Sequence, residues 1–312
     1  MEIIQLLRKF KSLWRNYLNA KKYKGIDALK TLLQKHPNLK AVTVEREAVI
    51  LVLEDDIKFE WNRYEPYGLL LTLDEHYEVL ERQIIKNILR EGDTVFDIGA
   101  NFGYFSVLMK KFCPAINLYA FEPIQQTYSV LLRNLDYNKL ADVKTYNFGF
   151  AEDNKEVIFH IPDQLGSAWA SMGTGVANVY HYKLKQQLAQ VCKLDDFVSI
   201  NKIDSIDFIK CDVEGAEKLV VEGARESLKR DCPTLMLEIG NMWTASFGYN
   251  REILINLMIN DFGYNCFGVL GSQLIALTKE GDVTQYPEEK MYNYFFVHPS
   301  RADILTLILK QL

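Results

Sequence analysis

The sequence predicts an α/β protein built on an open parallel sheet with helices over both faces. Three observations predict it. From residue 94 onward, short unbroken apolar runs such as "TVFDI", "LYAF", "DFIKC" and "TLMLEI" alternate with longer segments of helical period. Strands without polar alternation are buried on both faces, as parallel strands are beneath two helical layers. The first run ends in an acid and passes directly into glycines, in "DTVFDIGANFGYF". Finally, 48% of the 312 residues are hydrophobic and 25% are charged, enough apolar mass for one large domain and a smaller attachment.

Taken in order, the first 25 residues carry Arg8, Lys9, Lys11, Arg15, Lys21, Lys22 and Lys24 against Glu2. Ile3, Leu6, Leu7, Phe10, Leu13, Trp14, Tyr17 and Leu18 recur at helical spacing, which predicts a basic amphipathic helix. Its apolar stripe packs on its own chain, or lies on a partner or an anionic membrane surface. The β-branched stretch "KAVTVEREAVILVLEDDIKFEW" predicts a hairpin, so residues 1–80 are read as an N-terminal cap and 81–312 as the main domain. "EHYEVLERQIIKNILR" predicts a helix over 75–90, with acids early and bases late as the helix dipole favours.

The alternating part follows. Strands are expected at Thr94–Ile98, Leu118–Phe121, Val143–Phe150, Asp207–Cys211 and Thr234–Ile239, with a last one in "YNYFFVHP". Helices are expected at Phe102–Phe112, Gln125–Asn138, Ala216–Leu228 and Glu252–Ile259. Residues 151–195 interrupt the rhythm with a hairpin ("KEVIFHIP"), a small-residue loop around Trp169 and a polar helix.

Bulk properties narrow the function. A net charge of −5 gives no basic field for nucleic acid. Cys113, Cys192, Cys211, Cys232 and Cys266 form no metal-type spacing and read as reduced thiols. No apolar run approaches the ~18 residues of a membrane span, and no cleavable leader is evident. The expectation is a cytoplasmic protein, with peripheral membrane contact through residues 1–25 as the sharper reading of that helix. Oligomeric state is not legible.

In an open parallel sheet, ligands bind beyond the carboxyl ends of the strands, where strand order reverses. Gly99 and Gly103, after Asp97, let the chain turn close to a ligand. Their spacing is G-x-x-x-G, with Asn101 where a dinucleotide loop has its second glycine, so a pyrophosphate would meet a side chain. Glu122, roughly 20 residues on, suits a ribose diol. Asp97, a phosphate-hostile loop and Glu122 together point to S-adenosylmethionine.

A second acidic stretch, "IDFIKCDVEGAEKLVVEGA", places Asp212, Glu214 and Glu217 after a buried strand, and Glu238 ends the next one. Asp212 is the candidate base for a substrate hydroxyl, with Glu214 and Glu238 as companions. Helix capping accounts equally for part of this cluster. The same carboxylates could gather Mg2+, but no histidine joins them and no metal ligand is assigned. Lys210 is placed to pair with these acids. Trp243, Phe247 and Tyr249 either stack on a substrate or pin their loop to the core, and the same choice holds for Trp169 and "WNRYEPYG".

"VFDIGANFGYFSV", "YAFEPIQQTYSVLLRNL", "KLDDF", "IDFIKCDVEGAE" and "PTLMLEI" occur in an order that resembles the FkbM family of S-adenosylmethionine-dependent methyltransferases. The resemblance implies a class I, Rossmann-like sheet of seven strands whose last strand is antiparallel. It implies O-methylation of a sugar, glycan or natural-product hydroxyl. It places Asp97, Gly99, Asn101 and Gly103 around the methionine part, Glu122 at the ribose, Ala151 and Glu152 near the adenine, and Asp212 and Glu214 at the reacting centre. The alternatives are a nicotinamide-dependent oxidoreductase and a non-catalytic Rossmann-like binding module.

Overall fold

The computed structural model describes residues 31, 33–46, 48–61, 74, 76–162, 170–173, 183–277, 282–287 and 290–311. The basic helix expected over residues 1–25, Trp169 and nearly all of "WNRYEPYG" lie outside the described residues. The chain divides into two compact units, Met1–Tyr77 and Glu78–Leu312.

In the first unit, β1 (Leu39–Val44), β2 (Val49–Leu53) and β3 (Lys58–Glu60) form an antiparallel meander. Leu39, Ile50, Leu51, Leu53 and Phe59 are buried in it, nearly all from the β-branched stretch that predicted a hairpin.

The second unit opens with α1 (Val79–Ile88), β4 (Thr94–Ile98), α2 (Tyr104–Phe112), β5 (Asn117–Phe121), α3 (Gln125–Tyr137) and β6 (Lys144–Tyr146). The inserted β7 (Gly149–Phe150), β8 (Lys155–Pro162) and β9 (Leu184–Cys192) follow. Then come α4 (Leu194–Ile200), β10 (Phe208–Cys211), α5 (Glu217–Glu222), α6 (Arg225–Asp231) and β11 (Thr234–Glu238). The chain continues through α7 (Asn241–Thr244), α8 (Arg251–Asn260), β12 (Asn265–Leu270), β13 (Gln273–Leu277), β14 (Asn293–Val297) and α9 (Ala302–Leu309).

The main sheet runs β13-β12-β14-β11-β10-β4-β5-β6. Strands β6, β5, β4, β10 and β11 are parallel, while β14 is antiparallel to both neighbours. The expected antiparallel last strand is therefore present. The sheet has eight strands rather than seven, because β13 folds back on β12 through Gly271 at φ +61° and buries Leu274 and Leu277. From β4 the chain builds outward to β6, then returns to lay β10 on the other side of β4. Strand order reverses there, so the crevice lies at the tips of β4 and β10.

Three expected elements came out differently. The polar segment read as a helix is β9, paired antiparallel with β8 along its whole length. Lys, Gln and Ala are good helix formers, but tertiary strand pairing overrides that preference. The single strand expected over Val143–Phe150 is two, since β6 joins the main sheet and β7 the small β7-β9-β8 sheet. The helix expected over Ala216–Leu228 breaks at Gly223, where the Ala151 carbonyl oxygen would lie 2.1 Å from any Cβ. A core of Phe96, Phe121, Tyr146, Phe148 and Phe150 gathers around Phe197 of α4, with ring centroids 5.0–6.0 Å from it.

Candidate active site at the tips of β4 and β10

The two strand tips are locked in register. Asp97 sits opposite Lys210 and Ile98 opposite Cys211, and the Asp212 N–H donates to the Ile98 carbonyl at 3.1 Å. Gly99, at φ +75°, is where the loops touch: a Cβ there would stand 1.9 Å from the Asp212 carbonyl oxygen. Only glycine permits that approach.

Between these tips lies an open cleft. Gly99, Asn101, Glu122, Asp212 and Glu214 line it, so five of the sequence-derived site residues come together. Asp97, Gly103, Ala151, Glu152 and Glu238 are outside its lining.

Those five have other positions. Asp97 is fully buried, one residue inside β4, and its Oδ2 accepts from Ser106 Oγ of α2 at 2.5 Å. Gly103, at φ +91°, leads into α2 with Leu131 of α3 against it. Ala151 is buried in the apolar cluster of the small sheet, beside Phe159, Ala189 and Val191. Glu152 pairs with Lys155 near the surface. Glu238 is at the tip of β11, within hydrogen-bonding reach of Asp212.

The backbone amides of the glycine loop are all spoken for. Gly99 and Ala100 both donate to the Phe121 carbonyl, Asn101 to Glu122 Oε2 at 3.0 Å, Phe102 to Asn101 Oδ1 and Gly103 to the Ala100 carbonyl. Glu122 is further fixed by the Ile124 N–H on Oε1 at 2.8 Å. Asn101 itself is left-handed, at φ +52°, a conformation that asparagine tolerates through local hydrogen bonding.

Behind the cleft, Lys210 is 5% exposed. Its Nζ lies 2.9 Å from Asp212 Oδ2 and 4.0 Å from Asp97 Oδ1, above the Phe105 ring. Burial works against the ammonium, but Asp212 and Asp97 outweigh it and hold its pKa above the ordinary lysine value. Burial lifts the Asp97 carboxyl, against the pull of Lys210 and Ser106. The expected pairing of Lys210 with the acids is thus present.

The turn after β10 is braced heavily. Glu217 Oε1 accepts from the N–H groups of Val213 and Gly215, and the Tyr249 hydroxyl donates to the Gly215 carbonyl at 2.8 Å. Burial pushes the Glu217 carboxyl up to about 7. Glu214 and Glu238 are raised well above the ordinary range, first by burial and then by Asp212 and one another's neighbours in this acidic group. Trp243 and Phe247 close on Gly215, and Tyr249 is buried beneath it, so these aromatics pin the turn and do not line the cleft. Among the described residues, no three His, Cys, Asp or Glu side chains come together as a metal-holding group. No described helix is long and apolar enough to cross a membrane.

Sequence reasoning missed the wall opposite the acids, made by Ile124, Phe150, Phe159, Ala170 and Met172. The alternation of "KEVIFHIP" marks Phe159 as inward-facing, but nothing local says that it faces this cleft.

With the geometry in place, comparison with known proteins is informative. The model of the Methyltransferase FkbM domain matches residues 97–266. The chain is 28% identical over 142 residues to "Methyltransferase 1" of Beauveria bassiana, covering 41% of this chain and 57% of that protein. It is 25% identical over 193 residues to the 2-O-methyltransferase NoeI of Sinorhizobium fredii, covering 55% and 79%. It is 26% identical over 161 residues to the 31-O-demethyl-FK506 methyltransferase FkbM of Streptomyces tacrolimicus, covering 45% and 62%. The chain thus spans less than two thirds of two of these relatives. The family match runs from Asp97 in β4 to Cys266 in β12, through every acid of the cleft, and the chain belongs to the FkbM methyltransferase domain family.

Proposed function

We propose that this protein transfers a methyl group from S-adenosylmethionine to a hydroxyl of a sugar, glycan or natural-product acceptor. The observation that carries this reading is the chemistry of the cleft lining: three carboxyl side chains, Glu122, Asp212 and Glu214, and no Lys, Arg or His among the described residues that form it. Such a surface suits a cationic nucleoside and repels phosphates. Two relatives named as O-methyltransferases support oxygen as the acceptor atom.

The donor, when bound, supplies an electrophilic methyl group on a sulfonium. Glu122, held by two backbone N–H groups, would receive the ribose hydroxyls, and Gly99 and Asn101 would border the methionine part. Lys210 holds Asp212 by Oδ2, and Glu238 lies within hydrogen-bonding reach of the same carboxylate, which would take the acceptor's proton. Among Asp212, Glu214 and Glu238, Asp212 is the carboxylate paired with a lysine, and the other two are held toward the protonated form. The base is therefore Asp212. Orientation at the strand tips contributes most of the acceleration, up to roughly 7–11 kcal/mol, with base assistance adding about 10²–10⁴-fold. No metal enters this scheme.

The test is Asp212→Asn. Calorimetry should find S-adenosylhomocysteine bound within about threefold of wild type, while methyl transfer to a panel of sugar and polyketide alcohols falls by about 10²–10⁴-fold. Absence of any adenosyl-ligand binding to the wild type would end the methyltransferase reading; full activity of the variant would end the role of Asp212.

A further inference from the structure

Glu214 is built into a position that a glycine or asparagine would occupy more easily. Its backbone is left-handed, at φ +54°, followed by Gly215 at φ +100°. A non-glycine side chain is kept in such a conformation when the surrounding structure over-determines it, and such positions cluster at ligand sites. The surroundings here do over-determine it. Glu217 holds the amides on either side, of Val213 and Gly215, and Ser171 Oγ donates to the Glu214 carbonyl at 2.7 Å. Ser171 is on the short segment that bridges to His160 of β8, so the inserted sheet and the acidic turn clamp this residue together.

Glu214 lines the cleft, and its Oε2 is buried with no hydrogen-bond partner among the described residues. A buried carboxyl oxygen without a partner is costly, so its presence on the wall of an open cleft asks for a ligand group. The charged neighbours are Asp212 and Lys210 on and after β10, Glu217 of α5 and Glu238 of β11, with Trp243 of α7 beside the carboxyl. Lys210 is engaged by Asp212 and Asp97. No cation is left over for Glu214 among these.

We propose that Glu214 is the charge-sensing residue of the cleft, the carboxyl that meets the positive sulfonium and makes the site prefer the methyl donor over its uncharged thioether product. This rests on the methyltransferase reading. In the empty cleft burial and then Asp212 favour the protonated carboxyl, whereas a cation beside it favours the charged form. Methyl transfer removes the sulfonium charge, so the product loses that attraction.

The experiment is calorimetric binding of S-adenosylmethionine, S-adenosylhomocysteine and an analogue with an ammonium group in place of the sulfonium, to the wild-type chain and to Glu214→Gln, from pH 6 to 8.5. Both cationic ligands should bind about tenfold more tightly than the thioether near pH 8, with the advantage shrinking as pH falls. Glu214→Gln should abolish the preference and its pH dependence, while the thioether's affinity changes less than about threefold. Equal or tighter binding of the thioether by the wild type overturns the proposal, as does a preference that survives in Glu214→Gln. If the variant does not fold, equal or tighter binding of the thioether by the wild type still overturns the proposal. If none of the three ligands binds, the methyltransferase reading itself fails, which is a different result from a missing preference.

Discussion

Replacing Gly99 by alanine tests whether the contact between the two strand tips organises the cleft. Two costs are separable. An L-residue at φ +75° is in left-handed space, roughly 1–2 kcal/mol against it. The added Cβ would also stand 1.9 Å from the Asp212 carbonyl oxygen and 2.9 Å from its carbon. Both are backbone atoms, so no side chain can rotate away, and the loops must part. Overpacking of this kind costs about 1–3 kcal/mol, which brings the total to about 2–5 kcal/mol. Gly92→Ala is the internal control, because Gly92 has φ +86° with nothing within 4 Å of a Cβ. It should show the conformational cost alone. Urea unfolding of both variants, compared at equal slope, gives the difference. Gly99→Ala should also weaken S-adenosylhomocysteine by at least tenfold, since parting the loops shifts Asp212 and Glu214 away from Glu122. Equal destabilisation of the two variants, or intact ligand binding in Gly99→Ala, would refute the idea that this contact shapes the site.

Two further outcomes follow from the bracing of the acidic turn. The Glu217 carboxyl, raised to about 7 from 4.5, binds its proton more tightly in the folded chain than in the unfolded one. Stability is then greatest below the unfolded value and falls as pH rises from about 4.5 toward 7, by about 3 kcal/mol in all. Glu217→Gln should flatten that decline in urea melts at pH 5 and pH 8; an unchanged difference between the two pH values would remove Glu217 as its source. Tyr249→Phe deletes the hydroxyl that serves the Gly215 carbonyl and Glu217 Oε2, and should cost about 1–2 kcal/mol in the same assay while loosening S-adenosylhomocysteine several-fold. A neutral effect would mean that water or a neighbour replaces that hydroxyl at no cost.

The parts of the fold that were legible in the sequence were those fixed by local pattern. The βα rhythm, the tips at Ile98 and Cys211 and the glycine loop follow from runs and spacing within a few residues. Glu122 was legible as a residue of the cleft because it directly follows the strand next to that loop. What depended on register was not legible. Asp97 was placed in the ligand site, whereas it is one residue inside β4 and turns to Ser106 and Lys210. Trp243, Phe247 and Tyr249 could equally stack on a ligand or pin a loop, and only the approach to Gly215 decides. The "KLDDF" motif carries a structural task invisible in one dimension: Asp195 accepts from the N–H groups of Glu226 and Ser227 and caps α6. Strand β9 was misread because its pairing partner, β8, supplies what its own composition does not.

The same loop offers an incoming phosphate no free backbone amide. At a switch point, free amides at a turn and the positive end of the next helix ordinarily make an anion site. Here each N–H from Gly99 to Gly103 already has an acceptor inside the protein. One of those acceptors is the Glu122 carboxylate, which takes the Asn101 amide that a pyrophosphate oxygen would need. An incoming dinucleotide would have to displace a carboxylate and then sit beside it, with Asp212 and Glu214 across the cleft and Lys210 engaged behind them. A nicotinamide cofactor is disfavoured on both counts, hydrogen bonding and charge. The carboxylate that accepts the Asn101 and Ile124 amides is thus the plug that closes the anion site.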